Sequence, residues 1–394
     1  MNRGIYLLVL ATFVTGTVEL VVAGILDRIA QELHVSIGMT GLLVTVYSLV
    51  FALGTPIIGA LTSRIERRKL LLAAMFVFIV GNVVSMVSPN FSILIVARAI
   101  TAASCSVVVV NSLILAANIT VPDKVGRAMG LVFTGISASL VLGVPIGTLI
   151  AGLTNWRMTF ALIAVLGLIV FLGLWRYLPK VPPQPSASLS KQIAALRSSK
   201  IIFAQLMVAL MLIGHFTMYT YLSPFLQSTM GLSSGTIGIV FLLLGMGGVV
   251  GGWIGGWMTD KLGGARSFLI LLILFASVLL LLPYATTSLI SLLPVVIVWG
   301  ALAFAPAAPV QSYLIQSAPE SSDIQIGLFT SFMHLGISIG SAVGGAIVNY
   351  HSVKANPWAA GLFGLLAFLS AAISVTRKQK GSRAGVHRID NPVS

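Results

Sequence analysis

Twelve apolar runs, each about as long as a bilayer is thick and each closed by charge, proline or turn residues, leave this chain few folds to choose from. They fall near 5–26, 38–60, 70–88, 92–118, 129–153, 158–178, 201–226, 235–258, 268–287, 289–313, 324–350 and 357–376. An α-helix needs about 20 apolar residues to cross a hydrocarbon core roughly 30 Å thick, so each run reads as a membrane span. Lipid offers no partner to an unpaired backbone group, which restricts spanning structures to helices and closed barrels. Runs of this length predict an all-α integral membrane protein. The chain is 57% hydrophobic and 8% charged, with a mean hydropathy of +1.04, a balance that no water-facing surface carries. The first run follows Arg3 and superficially resembles a secretory signal. It is too long for a signal core and no clear small-residue cleavage site follows it, so it is kept as span 1.

The net charge of +14 invites comparison with nucleic-acid binders, but those cluster their basic groups on one exposed face. Here the basic residues track the loops. All but Arg28, Arg157, Lys354 and the intraspan Arg98 lie in the tails or in, or at the edge of, the loops joining spans 2 to 3, 4 to 5, 6 to 7 and 8 to 9, including the run Arg64, Arg67, Arg68 and Lys69. The positive-inside rule then places both termini in the cytoplasm, and the localisation expected is a bacterial-type inner membrane. Anionic-lipid contact is secondary and no nucleic acid is expected. The sole cysteine, Cys105, sits inside an apolar run, so neither a disulfide framework nor a thiolate metal site is available.

Residues 179–199 divide six spans from six. Pro179, Pro182, Pro183 and Pro185, then serines with Lys191 and Arg197, suit a cytoplasmic linker on the membrane surface. The expected organisation is an amino-terminal bundle over 1–178, the linker, a carboxy-terminal bundle over 200–376 and a basic tail over 377–394. The bundles repeat each other. Gly59 to Arg67 after span 2 recurs as Gly256 to Gly264 after span 8, an offset of 197, and at that offset Ser139, Gly143 and Gly147 of span 5 fall on Gly336, Gly340 and Gly344 of span 11. Small residues every four positions make a smooth helix face that lets another helix approach closely. Two parallel six-span repeats are a transporter architecture, with the substrate site between them near the midplane.

These motifs resemble the major facilitator superfamily. The loop with Gly59, Ser63, Arg64, Glu66 and Arg67 is similar to that family's gating loop between helices 2 and 3, and the second copy with Asp260, Lys261 and Gly263 matches it better. Ser63 and Glu66 depart from the family's aspartate and glycine, and Ala102 replaces the glycine that usually follows the span-4 arginine, here Arg98. Gly143, Pro145 and Gly147 resemble the antiporter motif of the twelve-span drug:proton branch, which Trp156-Arg157 also suits. The stretches Gly214 to Tyr219, Gln311 to Ile315 and Ser322 to Gln325 resemble bacterial purine-base efflux pumps. The resemblance implies two pseudo-symmetric bundles, alternating access, a monomer, and export driven by a proton gradient with no cofactor.

Glu19 is the residue that an apolar span least tolerates, since a charge at mid-helix costs about 2.5 to 3.5 kcal/mol on insertion scales. It lies eight residues before Asp27, and Arg98 lies eight after Asn90. Both are therefore about 12 Å below the outer boundary. The resemblance implies that spans 1 and 4 face a central cavity. Glu19 is expected to carry the proton, paired with Arg98, the alternative being a static ion pair. Asp27 is expected to mark the end of span 1, with a second protonation site as the alternative. His215 falls one residue from Glu19 in the repeat and can titrate or hydrogen-bond a heterocycle. His334, Asn111, Gln311, Tyr219 and Tyr221 are further substrate-binding candidates, although Tyr219 and Tyr221 cannot share one helix face. Gly245, Gly248, Gly252 and Gly256 are expected to serve close packing, because the lysine and strand of a nucleotide loop are missing. Glu320 and Asp323 suit a helix amino terminus.

The function expected is proton-coupled efflux of small planar or amphipathic molecules, such as purine bases, nucleosides or drugs. A broad multidrug or sugar exporter is the alternative within the class. A non-transporting sensor or scaffold would leave the intraspan titratable groups unexplained, and an intramembrane enzyme would need acids paired at one depth.

Overall fold

The computed structural model describes residues 3–121, 124–183 and 189–377. Among them twelve helices are long and apolar enough to cross a membrane: Arg3–Glu32, Ile37–Leu61, Arg67–Val87, Phe91–Asn118, Val125–Leu153, Trp156–Tyr177, Ser199–Tyr219, Ser234–Leu262, Gly264–Ala285, Leu289–Ser317, Pro319–Tyr350 and Val353–Thr376. They are spans 1 to 12. The tail beyond Arg377 and linker residues 184–188 lie outside the described residues. The face with the basic loops is called inner below, and the opposite face outer.

The helices begin where the sequence supplies caps. Ser36, Asn90, Asn155, Ser233 and Ser288 each accept a backbone N–H from the first turn of spans 2, 4, 6, 8 and 10, satisfying donors that a helix start leaves orphaned. All five lie on the outer face. Span 1 runs to Glu32, beyond its expected end, because the polar segment Asp27 to Glu32 continues the helix.

Three spans are interrupted where proline removes a donor. Span 7 stops at Tyr219 and resumes as Leu222–Met230, since Pro224 cannot bond the Thr220 carbonyl. Span 10 breaks between Phe304 and Ala307, where Pro306 and Pro309 leave two carbonyls without helical partners. In span 5 the Val144 N–H reaches back five residues to the Ser139 carbonyl, a π-turn over Ser139–Gly143 immediately before Pro145.

Spans 1–6 pack together, as do spans 7–12. The small-residue stripes sit at equivalent places in each bundle. In the first, Gly143 faces Thr17 and Gly147 faces Val21 of span 1; in the second, Gly336, Gly340 and Gly344 face Ala209, Ile213 and Thr217 of span 7. Span 8 departs from expectation. Gly245 and Gly248 do meet Leu140 of span 5 across the seam, but open space lies beside Gly252 and Gly256. The close approach to span 10 uses Gly247, Gly251 and Gly255, against Ile297, Ala301 and Ala305. Span 8 carries two glycine faces, and span 10 occupies the second.

The two bundles meet through spans 2 and 11, spans 5 and 8, and span 1 with Leu222–Met230. Their outer ends are sealed by polar bonds. Asp27 accepts from Ser223 Oγ at 3.1 Å and Gln227 Nε2 at 2.6 Å, and Arg28 donates to Ser234 Oγ at 3.0 Å. Ser341 and Ser338 donate to the Gly41 and Thr45 carbonyls, each at 2.9 Å. At the inner ends of the same helices, a Cβ placed at Gly59, Gly126, Gly252 or Gly327 would meet nothing within 4 Å. The molecule is closed on its outer face and open on its inner face, with the linker helix Leu189–Ala195 touching spans 2 and 11 at the mouth.

Candidate substrate and proton site

Between the bundles lies a cavity enclosing about 1010 Å³, its open mouth included, lined by spans 1, 5, 7, 9, 10 and 11. Its wall is aliphatic, thioether and aromatic, with Met207, Met211, Met333, Phe304 and Phe329 prominent, and the polar side chains on it are Glu19, His215 and Tyr219.

The sequence places Glu19 and Arg98 at one depth, and the structure agrees, but they do not form the expected ion pair. Arg98 is fully buried inside the amino-terminal bundle, where Nη1 donates to the Val18 carbonyl at 2.8 Å and Nε to the Leu43 carbonyl at 3.5 Å. Its guanidinium lies 4.2 Å from the centroid of the Tyr47 ring. Adjacent helical residues point about 100° apart. Val18 therefore faces the bundle core and Arg98, while Glu19 faces the cavity. Arg98 clamps spans 1, 2 and 4 and acts on Glu19 through space.

The partner of Glu19 is His334, whose Nε2 lies 3.2 Å from its carboxylate. This contact crosses the seam from span 1 to span 11. His334 Nδ1 lies 2.9 Å from the Thr330 carbonyl, and its ring stacks on Phe51 of span 2 at 3.8 Å between centroids and 4° between planes. His334 was expected as a substrate contact on a packing helix; the structure makes it part of the carboxylate's own environment.

His215 lies on the cavity wall. It stacks on Tyr219 at 5.2 Å, with Phe216 at 5.0 Å and Trp299 at 5.4 Å around it. His215 Nδ1, the Tyr219 hydroxyl and Trp299 Nε1 are buried without a hydrogen-bond partner. A buried polar atom left unpaired costs roughly 1 to 3 kcal/mol; of the three residues, His215 and Tyr219 line the cavity and Trp299 stands behind them. Tyr221, two residues on, turns away into the outer seam and donates to the Ser341 carbonyl at 2.9 Å.

Two candidates fall outside the site. Asn111 lies toward the inner end of span 4, accepting from Arg67 Nη1 at 3.4 Å and donating to the Val107 carbonyl; it ties span 3 to span 4. Gln311 is half-buried on span 10 and does not line the cavity, where its neighbours Ala307 and Val310 do. Helical phase decides both cases, and phase relative to a neighbouring helix is not written in an apolar run. Asp27 lies at the outer boundary, as expected, but its carboxylate bridges the bundles and does not line the cavity. In the inner motif, Ser63 bonds the Ala60 carbonyl and Glu66 pairs with Lys69 at 3.8 Å, both within the first bundle. Arg64, Asp260 and Lys261 are exposed, as are Glu320 and Asp323. Tyr47, Phe51 and Trp299 were not anticipated. In the sequence only the periodicity of Tyr47 and Phe51, one helical turn apart, hints that they share a face.

Two six-helix bundles enclosing a cavity open to one side define a multi-pass membrane transporter rather than an enzyme. Residues 8–325 match the Major Facilitator Superfamily. Over 376 residues the chain is 34% identical to YbcL of Bacillus subtilis (strain 168), an uncharacterized MFS-type transporter, covering 95% of this chain and 96% of that one. Among solved structures it is similar to a bacterial homologue of the human lysosomal transporter Spinster, described as inward-facing and occupied. The TM-score is 0.75 with 14% identity, over 94% of this chain and 96% of the other, a likeness of fold. The chain belongs to the Major Facilitator Superfamily.

Proposed function

We propose that this transporter exports small, planar, largely apolar molecules from a bacterial cytoplasm in exchange for protons, working as a monomer with no cofactor. The observation that carries this reading is Glu19: a carboxylate on the wall of an otherwise apolar cavity, at the seam between the bundles. An ionisable group at that depth is costly unless it has a task. A charge that binds a proton from one side and faces the substrate from the other can tie the two movements together. The basic loops support a mouth open to the cytoplasm, the side from which substrate enters in this reading.

The wall favours a drug-like amphipath over a purine base. A purine presents several edge donors and acceptors, each needing a partner when desolvated, whereas the cavity offers one carboxylate and the polar atoms of the aromatic box. An aromatic molecule with one basic nitrogen satisfies both, with its ring in the box and its charge toward Glu19.

Inside-out vesicles with an imposed proton gradient test this directly, using labelled adenine or guanine in one arm and a lipophilic cationic dye in the other. Gradient-driven dye accumulation is expected, reduced at least about tenfold in Glu19→Gln, the loss that about 1.4 kcal/mol of coupling represents. Purine accumulation without dye would return the substrate to the purine class. Undiminished coupled export by the Glu19→Gln protein would remove Glu19 from the mechanism.

A further inference from the structure

The contact between Glu19 and His334 has a proton stoichiometry built into it. A backbone carbonyl only accepts, so the 2.9 Å contact with the Thr330 oxygen requires that His334 Nδ1 carry a hydrogen. If the imidazole is neutral, Nε2 then presents a lone pair. A carboxylate also presents only lone pairs, and two such groups 3.2 Å apart repel unless a proton stands between them. The pair therefore holds one proton in this inward-open state.

The ring stack indicates where that proton resides. His334 lies parallel to Phe51, at 3.8 Å between ring centroids and 4° between planes, so its ring faces an aromatic π-surface. A cationic ring over an aromatic face is attractive. We propose that Glu19 and His334 form a single proton site spanning the two bundles, with the proton carried on the His334 imidazole and the Glu19 carboxylate as its counter-ion. This rests on the proton-coupled reading above and adds to it a second residue, on the opposite bundle.

The site works as a bridge. With the proton present, an ion pair and a cation–π contact join spans 1 and 2 to span 11 just below the outer seam. When the proton leaves, the Nε2 and carboxylate lone pairs face each other and the bridge becomes repulsive, which favours parting of the outer ends. Among the described residues, the other titratable or charged groups facing Glu19 are Arg98 and Cys105 on span 4, Tyr47 on span 2 and Tyr219 on span 7, with His215 on the same cavity wall. Of these Arg98 is a fixed cation held by backbone carbonyls, so it biases the site without bridging the seam.

The test uses the full chain in lipid nanodiscs with Cys105 replaced by alanine and spin labels at Met39 and Tyr350, exposed positions at the outer ends of spans 2 and 11. Interlabel distance is followed against pH. The closed outer seam is expected at low pH, opening with a single midpoint as pH rises. His334→Gln, which keeps a hydrogen-bonding side chain but cannot carry the proton, should lower that midpoint by about one pH unit or more, because Glu19 must then bind the proton alone. A midpoint unchanged in His334→Gln but abolished in Glu19→Gln would overturn the shared site and leave the coupling reading intact. A seam that ignores pH in the wild-type chain would overturn both. Should His334→Gln fail to fold, infrared difference spectra of the wild-type and Glu19→Gln chains decide. The proposal expects no protonated-carboxyl band from Glu19 in the inward-open state, and such a band overturns it.

Discussion

The two bundles are copies of one plan, yet their cavity-facing walls do different chemistry. At the repeat offset of 197, Arg98 corresponds to Val295 and Ala102 to Trp299. In the first bundle a small residue and a buried cation leave Glu19 free to face the cavity with fixed positive charge behind it. In the second there is no cation at the matching place, and Trp299 fills the space against His215. One wall is electrostatic and the other aromatic. Two changes in a duplicated frame leave a buried cation in one bundle and a tryptophan against His215 in the other.

The comparison breaks first at Arg98. Replacing it by methionine keeps the volume and removes the clamp on spans 1, 2 and 4. Loss of hydrogen bonds from a charged group costs about 1.5 to 3 kcal/mol, so Arg98→Met should unfold at clearly lower temperature in detergent and lose gradient-driven transport. If the arginine only packs, stability should fall while residual coupled transport per folded molecule stays normal.

Close packing gives a second contrast between repeat mates. A Cβ at Gly251 would lie 2.6 Å from the Ala301 carbonyl carbon, part of the backbone, whereas at Gly54 the nearest atom is the Ser106 hydroxyl at 2.8 Å, the end of a side chain that can turn. Gly251→Ala should therefore cost about 1 to 3 kcal/mol by overpacking, and Gly54→Ala less than half of that. Thermal unfolding of the two variants side by side checks the order, and equal losses would mean that spans 2 and 4 are as rigidly packed as spans 8 and 10.

The smallest effect expected is on the aromatic wall. His215→Phe keeps the stack on Tyr219 and removes an unpaired nitrogen. It should raise the apparent KM for an aromatic substrate bearing a hydrogen-bonding group by about tenfold, equivalent to about 1.4 kcal/mol, with little change for a substrate lacking that group. An equal effect on both substrates would make His215 a shape-determining residue only.

Much of this was legible in the sequence because membranes simplify it. Span number follows from apolar length, and most ends in the structure lie within a few residues of those read from composition, since charges and caps cannot sit in lipid. The breaks in spans 7 and 10 were legible in principle from Pro224, Pro306 and Pro309, but the apolar runs continue across them and mask the interruption. Glu19 stood out because the bilayer makes any acid conspicuous. Asn111 and Gln311 misled for the opposite reason: a polar side chain in a span can be satisfied inside its own bundle, and composition does not say which way it turns.

By itself the sequence determined the all-helical class, the twofold repeat, the depth of Glu19 and Arg98, and the small faces of spans 5 and 11, because these depend on residue type and spacing along one helix. Only the tertiary structure decided that Arg98 binds backbone carbonyls while Glu19 meets His334, that Asp27 joins the bundles, and that the outer seam is the closed one. Those facts depend on the rotation of each helix about its own axis and on which helix lies opposite. Such rotations are set by packing between segments far apart in the chain, where every apolar run looks alike.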